Sequence, residues 1–217
     1  MAAAARAAAP SPASAADGTS LMRRGMTRFE AGDVSGSLKD FDAAKEAEPR
    51  LSTLLWQRGL SLYYAGDFDA AAKQFSSDVA QNPNDTEEAI WHYLSVAKAR
   101  SAAEAANNVL KVGRDRRPVM RSVYAQIASP TAEARESARL VVTDAALNAQ
   151  SPSDRFYAAL YLGLFAEALG EAQESEAWIR KAVDNKAYAQ SGDYMYALAK
   201  VHAQKRGYAP APTRREL

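Results

Sequence analysis

The chain has 217 residues, 47% of them hydrophobic, and its 27 Lys and Arg nearly balance 26 Asp and Glu, so there is no global field to draw nucleic acid or an anionic membrane. Cysteine is absent, which excludes disulfides, thiolate metal sites, a thiol nucleophile and a lipid anchor on Cys. No apolar run approaches the roughly 18–20 residues of a membrane span, and the alanine excess with few β-branched runs predicts an all-α protein.

Residues 1–18 are low complexity, built of Ala, Ser, Pro and one Arg with no acid before Asp17. They read as a disordered tail or as the remnant of an organelle-targeting peptide. A secretory signal fits less well, since no Leu/Val-rich core is present. The first helix is expected over residues 21–31, capped by Thr19 or Ser20, and is broken by Gly32-Asp33. A second helix over 34–48 ends at Pro49. The next pair repeats the pattern: residues 52–65, Gly66-Asp67, then 68–81 and Pro83. Gly25, Gly32, Phe41 and Pro49 recur as Gly59, Gly66, Phe75 and Pro83, each 34 residues on. Mid-helix glycine costs about 1 kcal/mol against alanine. Gly25 and Gly59 therefore imply a close approach by the second helix of each pair, with Ser37 and Ala71 as the small residues facing them and Phe41 and Phe75 as plugs between pairs.

A third pair is expected at about 86–112, with Asn84 or Thr86 as cap and helices over 87–100 and 102–111. Tyr93 replaces the glycine there. The basic run Gly113-Arg114-Asp115-Arg116-Arg117 reads as a solvated loop or as a contact for phosphate or an acidic partner. Helices over 119–127 and 132–149 follow within an irregular 118–150 segment, with Pro118, Pro130 and Pro152 as first-turn prolines. The pattern returns in the pair at 153–186, with Gly163 in the packing position and Ile179 in place of Phe. A capping helix over 192–206 then covers the last apolar face, and residues 207–217 form a disordered tail.

A period of 34 with these markers resembles the tetratricopeptide repeat. The resemblance implies a right-handed solenoid of antiparallel helix hairpins over residues 19–206. The runs LWQRGLSLYYAGDFDAAAKQFSSDVAQNPNDTEEAIWHYLSVAKA and FYAALYLGLFAEALGEAQESEAWIRKAVDNK are similar, more narrowly, to the bacterial NlpI-type lipoproteins. That family implies a non-catalytic adaptor that docks other proteins, in part as a dimer. Without a cysteine this chain is not the lipid-anchored form, and its leader suggests an organellar, plastid-type relative.

No catalytic constellation is visible. His92 and His202 lie far apart, no helix pairs histidines at metal-ligand spacing, and no Gly-rich phosphate loop is present. Ser153-Asp154 fits a helix cap, and Asp40 and Asp42 point to different sides of one helix. No cofactor and no metal are expected. By the resemblance, the first helix of each hairpin lines a concave face. Met22, Met26, Phe29, Trp56, Leu60, Tyr63, Ile90 and Leu94 then look inward. Met22, Met26 and Gln57 stand where chaperone-binding relatives carry Lys and Asn, so the terminal carboxylate of a chaperone is not the expected partner. Two readings of this apolar groove stay open. A protein or peptide partner, or a second copy, fills it; or the chain fills it itself through the helix carrying Tyr194, Tyr196, Leu198 and Val201, as in an assembly subunit of a larger complex.

Overall fold

A computed structural model describes residues 17–208; the leader to residue 16, expected as disordered or a targeting remnant, and the tail from residue 209, expected as disordered, lie outside that range. Among the described residues there are eleven α-helices and no strand, so the protein is all-α.

Helix α1 (Gly18–Glu30) starts earlier than expected. Asp17, not Thr19 or Ser20, is its cap, and its carboxylate accepts from the Ser20 N–H at 2.7 Å. An anion at a helix N-terminus also meets the positive end of the macrodipole. Helix α2 (Val34–Ala47) follows across Gly32-Asp33, while α3 (Trp56–Ala65) and α4 (Phe68–Gln81) are joined by Gly66-Asp67. Gly32 and Gly66 take φ of +83° and +87°, a conformation that costs other L-residues about 1–2 kcal/mol. Helix α3 begins later than residue 52, because Pro49–Thr53 form a 3-10 turn. Leu51 in that turn and Leu55 just after it are buried with Phe41.

The packing glycines are pressed by aromatic rings rather than by small residues. A Cβ on Gly25 would lie 3.1 Å from the Phe41 ring, and one on Gly59 would lie 2.6 Å from Phe75. Phe41 and Phe75 therefore plug their own hairpins, not only the space between hairpins. Ser37 instead meets Ser61 of the next hairpin, hydroxyl to hydroxyl at 2.9 Å. The same relation recurs late in the chain, between α9 (Pro152–Ala168) and α10 (Ala172–Val183). There a Cβ on Gly163 would lie 2.7 Å from Ile179.

Helix α5 (Thr86–Ala99) is capped by Asp85, whose carboxylate accepts from the Glu87 and Glu88 N–H groups, so neither Asn84 nor Thr86 is the cap. Tyr93 packs edge-on against Phe165 of α9 at 5.9 Å. Helix α6 (Ala102–Asn107) is short, and the helix expected to residue 111 is not formed. Residues 108–117 return toward the start of α5 instead. The Gly113 N–H donates to the Pro83 carbonyl at 2.7 Å, and the Tyr124 hydroxyl donates to the Leu110 carbonyl at 2.7 Å. Helices α7 (Pro118–Ala128) and α8 (Ala132–Asn148) pack on each other and on α9, and α7 also touches α5. The segment without repeat markers thus remains joined to its neighbours. Helix α11 (Tyr194–Lys205) packs on α10 and reaches α1, so the last described helix meets the first.

Candidate functional site

The eight inward positions do not share one open surface. Phe29, Leu60, Tyr63, Ile90 and Leu94 are buried within the main core, and Trp56 is partly buried against it. Met22 and Met26 pack on a separate cluster formed by Phe41, Leu51 and Leu55, between the first two hairpins. The resemblance turned both methionines of α1 toward the inward face, but the 3-10 turn brings Leu51 and Leu55 up beside them.

Helix α11 covers the aromatic part of this face. Tyr194 stacks on Phe29 at 5.6 Å and meets Trp56 edge-on at 5.4 Å. Below them the Tyr64 hydroxyl is 2.9 Å from His202 Nδ1. His202 is fully buried, and burial pushes it down to about 4, so it is neutral at pH 7. Its other side faces Glu167, which is held by Arg206 at 2.5 Å and Lys98 at 3.5 Å. His202 is thus part of a packed polar cluster linking α3, α9 and α11. His92, half-buried on α5, is lowered by burial. Among the described residues no group of three or more His, Cys, Asp or Glu side chains could hold a metal ion.

The basic run is not a freely solvated loop. Asp115 is buried, and Arg117 bridges it at 2.9 Å to Glu87 of α5 at 2.7 Å. The Tyr161 hydroxyl donates to the other Glu87 oxygen at 2.8 Å, and the Arg117 guanidinium lies 5.2 Å from the Tyr157 ring centroid. Tyr157 in turn donates to Asp193, the cap of α11, at 2.7 Å, and Tyr188 bonds the same oxygen. Burial raises Glu87, and the Arg117 charge and hydrogen bonds oppose it. This chain of contacts ties the 108–117 segment to α5, α9 and α11. No local sequence signal carries it, because its partners are separated by up to 74 residues.

A small cavity lies beside this network, at the meeting of α3, α4, α5 and α11. Its volume is about 60 Å³, and its apolar walls are Trp56, Phe75, Trp91 and Met195. Three carboxylates also line it: Asp85, Glu87 and Glu88. Asp85 serves as the cap of α5, and Glu87 is bound by Arg117. Glu88 is 8% exposed, and its Oε2 has no hydrogen-bond partner. Asp78 of α4 is buried nearby and accepts from Gln74 at 2.9 Å on one oxygen only. Burial, then Asp85, Asp78 and Glu87, push Glu88 up to about 8; burial pushes Asp78 up to about 6. Among the described residues no cationic side chain forms an ion pair with either group.

Among the described residues, large exposed apolar side chains cluster on α8, while Leu54 and Leu169 are exposed singly elsewhere. Leu140, Val141 and Leu147 are 58%, 56% and 51% exposed, whereas only Val142 and Ala146 of this helix are buried. Leu140 and Leu147 are seven residues apart and share a face. Beside Val141 a hollow of about 170 Å³ opens between α7, α8 and Asp154 at the start of α9. Among the described residues no helix is long and apolar enough to cross a membrane.

No known family model matches the chain, and no curated protein matches it significantly.

Proposed function

We propose that this chain is a tetratricopeptide-type scaffold without catalytic activity, related in architecture to the NlpI-type lipoproteins, that docks an amphipathic segment of another protein. The observation that carries this reading is the exposed Leu140, Val141 and Leu147 stripe on α8, with the adjoining hollow. Exposed apolar side chains grouped beside a hollow favour docking of another apolar surface, and exposed Glu136 and Asp144 supply a polar flank on the same face. Support for the architecture comes from the three glycine–plug pairs, Gly25/Phe41, Gly59/Phe75 and Gly163/Ile179. The inward face carries no docking role in this proposal, because Tyr194 and its helix lie on it. Support for a non-catalytic role is that His202, Glu167, Glu87 and Arg117 are spent on bridges between helices.

A photo-crosslinking residue at Val141, compared with one at the exposed Lys45 of α2, tests this in cell extract. A discrete adduct with another protein at position 141 alone is expected, and Leu140→Glu with Leu147→Glu should abolish it without changing the melting temperature. Equal adducts at both positions, or none at 141, would end the docking proposal. The second reading is a subunit of a larger assembly, favoured by the α11 helix filling the inward face. An adduct of twice the chain mass would move the balance to that reading.

A further inference from the structure

We propose that the cavity between α3, α4, α5 and α11 binds an alkylammonium head group, with Trp56, Phe75 and Trp91 as aromatic walls and Glu88 as its counter-charge. The site is independent of the α8 face, so either can fail alone. Its size sets the first limit. A volume of about 60 Å³ exceeds the roughly 10–15 Å³ that one water needs. It suits an ammonium or trimethylammonium group and its first carbons, not a folded peptide segment.

The chemistry of the walls sets the second limit. Aromatic faces are negative and attract cations, best when water is excluded. Phe75 and Trp91 lie nearly parallel, 6.2 Å apart, and Trp56 is held by its edge contact with Tyr194. A hard metal ion would want several oxygen ligands, and Asp85 and Glu87 are already engaged by backbone N–H groups and by Arg117. An anion would meet three carboxylates and no lining cation. Glu88 is the one lining group whose charge is unspent, with Oε2 buried and unpartnered. An isolated buried carboxylate is costly unless it is paired or protonated.

The charged groups around Glu88 are all acidic: Asp78 from α4, and Asp85 and Glu87 from the start of α5. Arg58 acts on Asp78 and Arg117 on Glu87, and α11 contributes Met195. With Glu88 pushed up to about 8, the empty site holds a proton at pH 7. An entering cation displaces that proton and pairs with the carboxylate.

The test is calorimetric titration of the whole chain with choline, with the uncharged carbon analogue of choline, and with Nα-acetyl-lysine methylamide. At least one cation should bind about tenfold or more tightly than the uncharged analogue. Binding at pH 7 should release a proton, seen as a binding enthalpy that varies with the buffer's ionisation enthalpy. Glu88→Gln keeps the shape, and should weaken the cation about tenfold and abolish proton release. Choline alone binding would identify a free small molecule, and the lysine derivative alone would identify a side chain of a bound protein. Binding of the uncharged analogue as tight as that of the better cation, or no binding of either cation at millimolar concentration, would overturn the proposal. Should Glu88→Gln fail to fold, the comparison of both cations with the uncharged analogue on the unaltered chain still decides.

Discussion

Tyr194 stacks on Phe29 with ring centroids 5.6 Å apart and planes 20° from parallel. Phe29 lies in the last turn of α1 and Tyr194 begins α11, so one aromatic pair joins the first and last described helices. Tyr194→Ala should lower unfolding free energy by about 3 kcal/mol, as for other large buried side chains. The Tyr194 hydroxyl is buried without a partner. Tyr194→Phe removes that orphan and keeps the stack, so it should be neutral or stabilise by about 0–1 kcal/mol. Urea unfolding of both variants checks this. A large loss in Tyr194→Phe would mean that the hydroxyl, not the ring, holds the closure.

At Gly59 a Cβ would fall 2.6 Å from Phe75. Gly59→Ala should therefore destabilise by about 1–3 kcal/mol through overpacking, although alanine is the better helix former. Combining it with Phe75→Leu should recover part of that loss, with a coupling of about 1 kcal/mol. Additive thermal shifts in the double variant would show that the ring moves aside freely.

Arg117 bridges Glu87 and Asp115 across 30 residues of chain. Arg117→Met leaves both carboxylates without their cation. Arg117 is 38% exposed, so the cost should be about 1–3 kcal/mol, below that of breaking a fully buried pair. Adding Glu87→Gln should restore part of it. The double-mutant cycle measures the coupling, and a coupling near zero would make the bridge incidental.

Glu88, raised to about 8 from an ordinary 4.5, makes a signed pH prediction. Between those values the folded chain holds a proton that the unfolded chain has lost, so stability falls as pH rises across that window and levels off above it. Asp78, raised to about 6, adds to the slope in the lower part of the same range. Glu88→Gln should flatten the fall between about pH 6 and 8 and leave the Asp78 part. Denaturant midpoints measured from pH 5 to 9 would contradict this if the variant kept the full slope.

Much of the architecture was legible because its signals are local. Gly32-Asp33, Gly66-Asp67 and Gly170-Glu171 each mark a turn, and residues 68–81 form α4 as expected. Caps were misplaced by one to three residues, to Thr19 or Ser20 and to Asn84 or Thr86, where Asp17 and Asp85 accept the hydrogen bonds. Several neighbouring polar residues can cap a helix, and only backbone direction selects one. The early end of α6 was not legible. Residues 108–111 have helical neighbours, yet the Gly113–Pro83 bond and the Arg117 bridge draw the chain away.

Sequence alone was enough for the helical class, the hairpin turns, the positions of the packing glycines and the set of apolar residues on each helix, but not for the rings that press on Gly25 and Gly59. What it did reach depends on period, propensity and composition, which act over a few residues. Which of those residues meet was set by how the helices pack. Packing put Met22 and Met26 with Leu51 and Leu55, laid Tyr194 over Phe29 and Trp56, closed the Arg117 bridge, and left Glu88 beside Trp91 without a cation. Contacts between residues far apart in the chain follow from how whole helices pack. Each arises from many small complementary surfaces acting together, and no single stretch of sequence contains it.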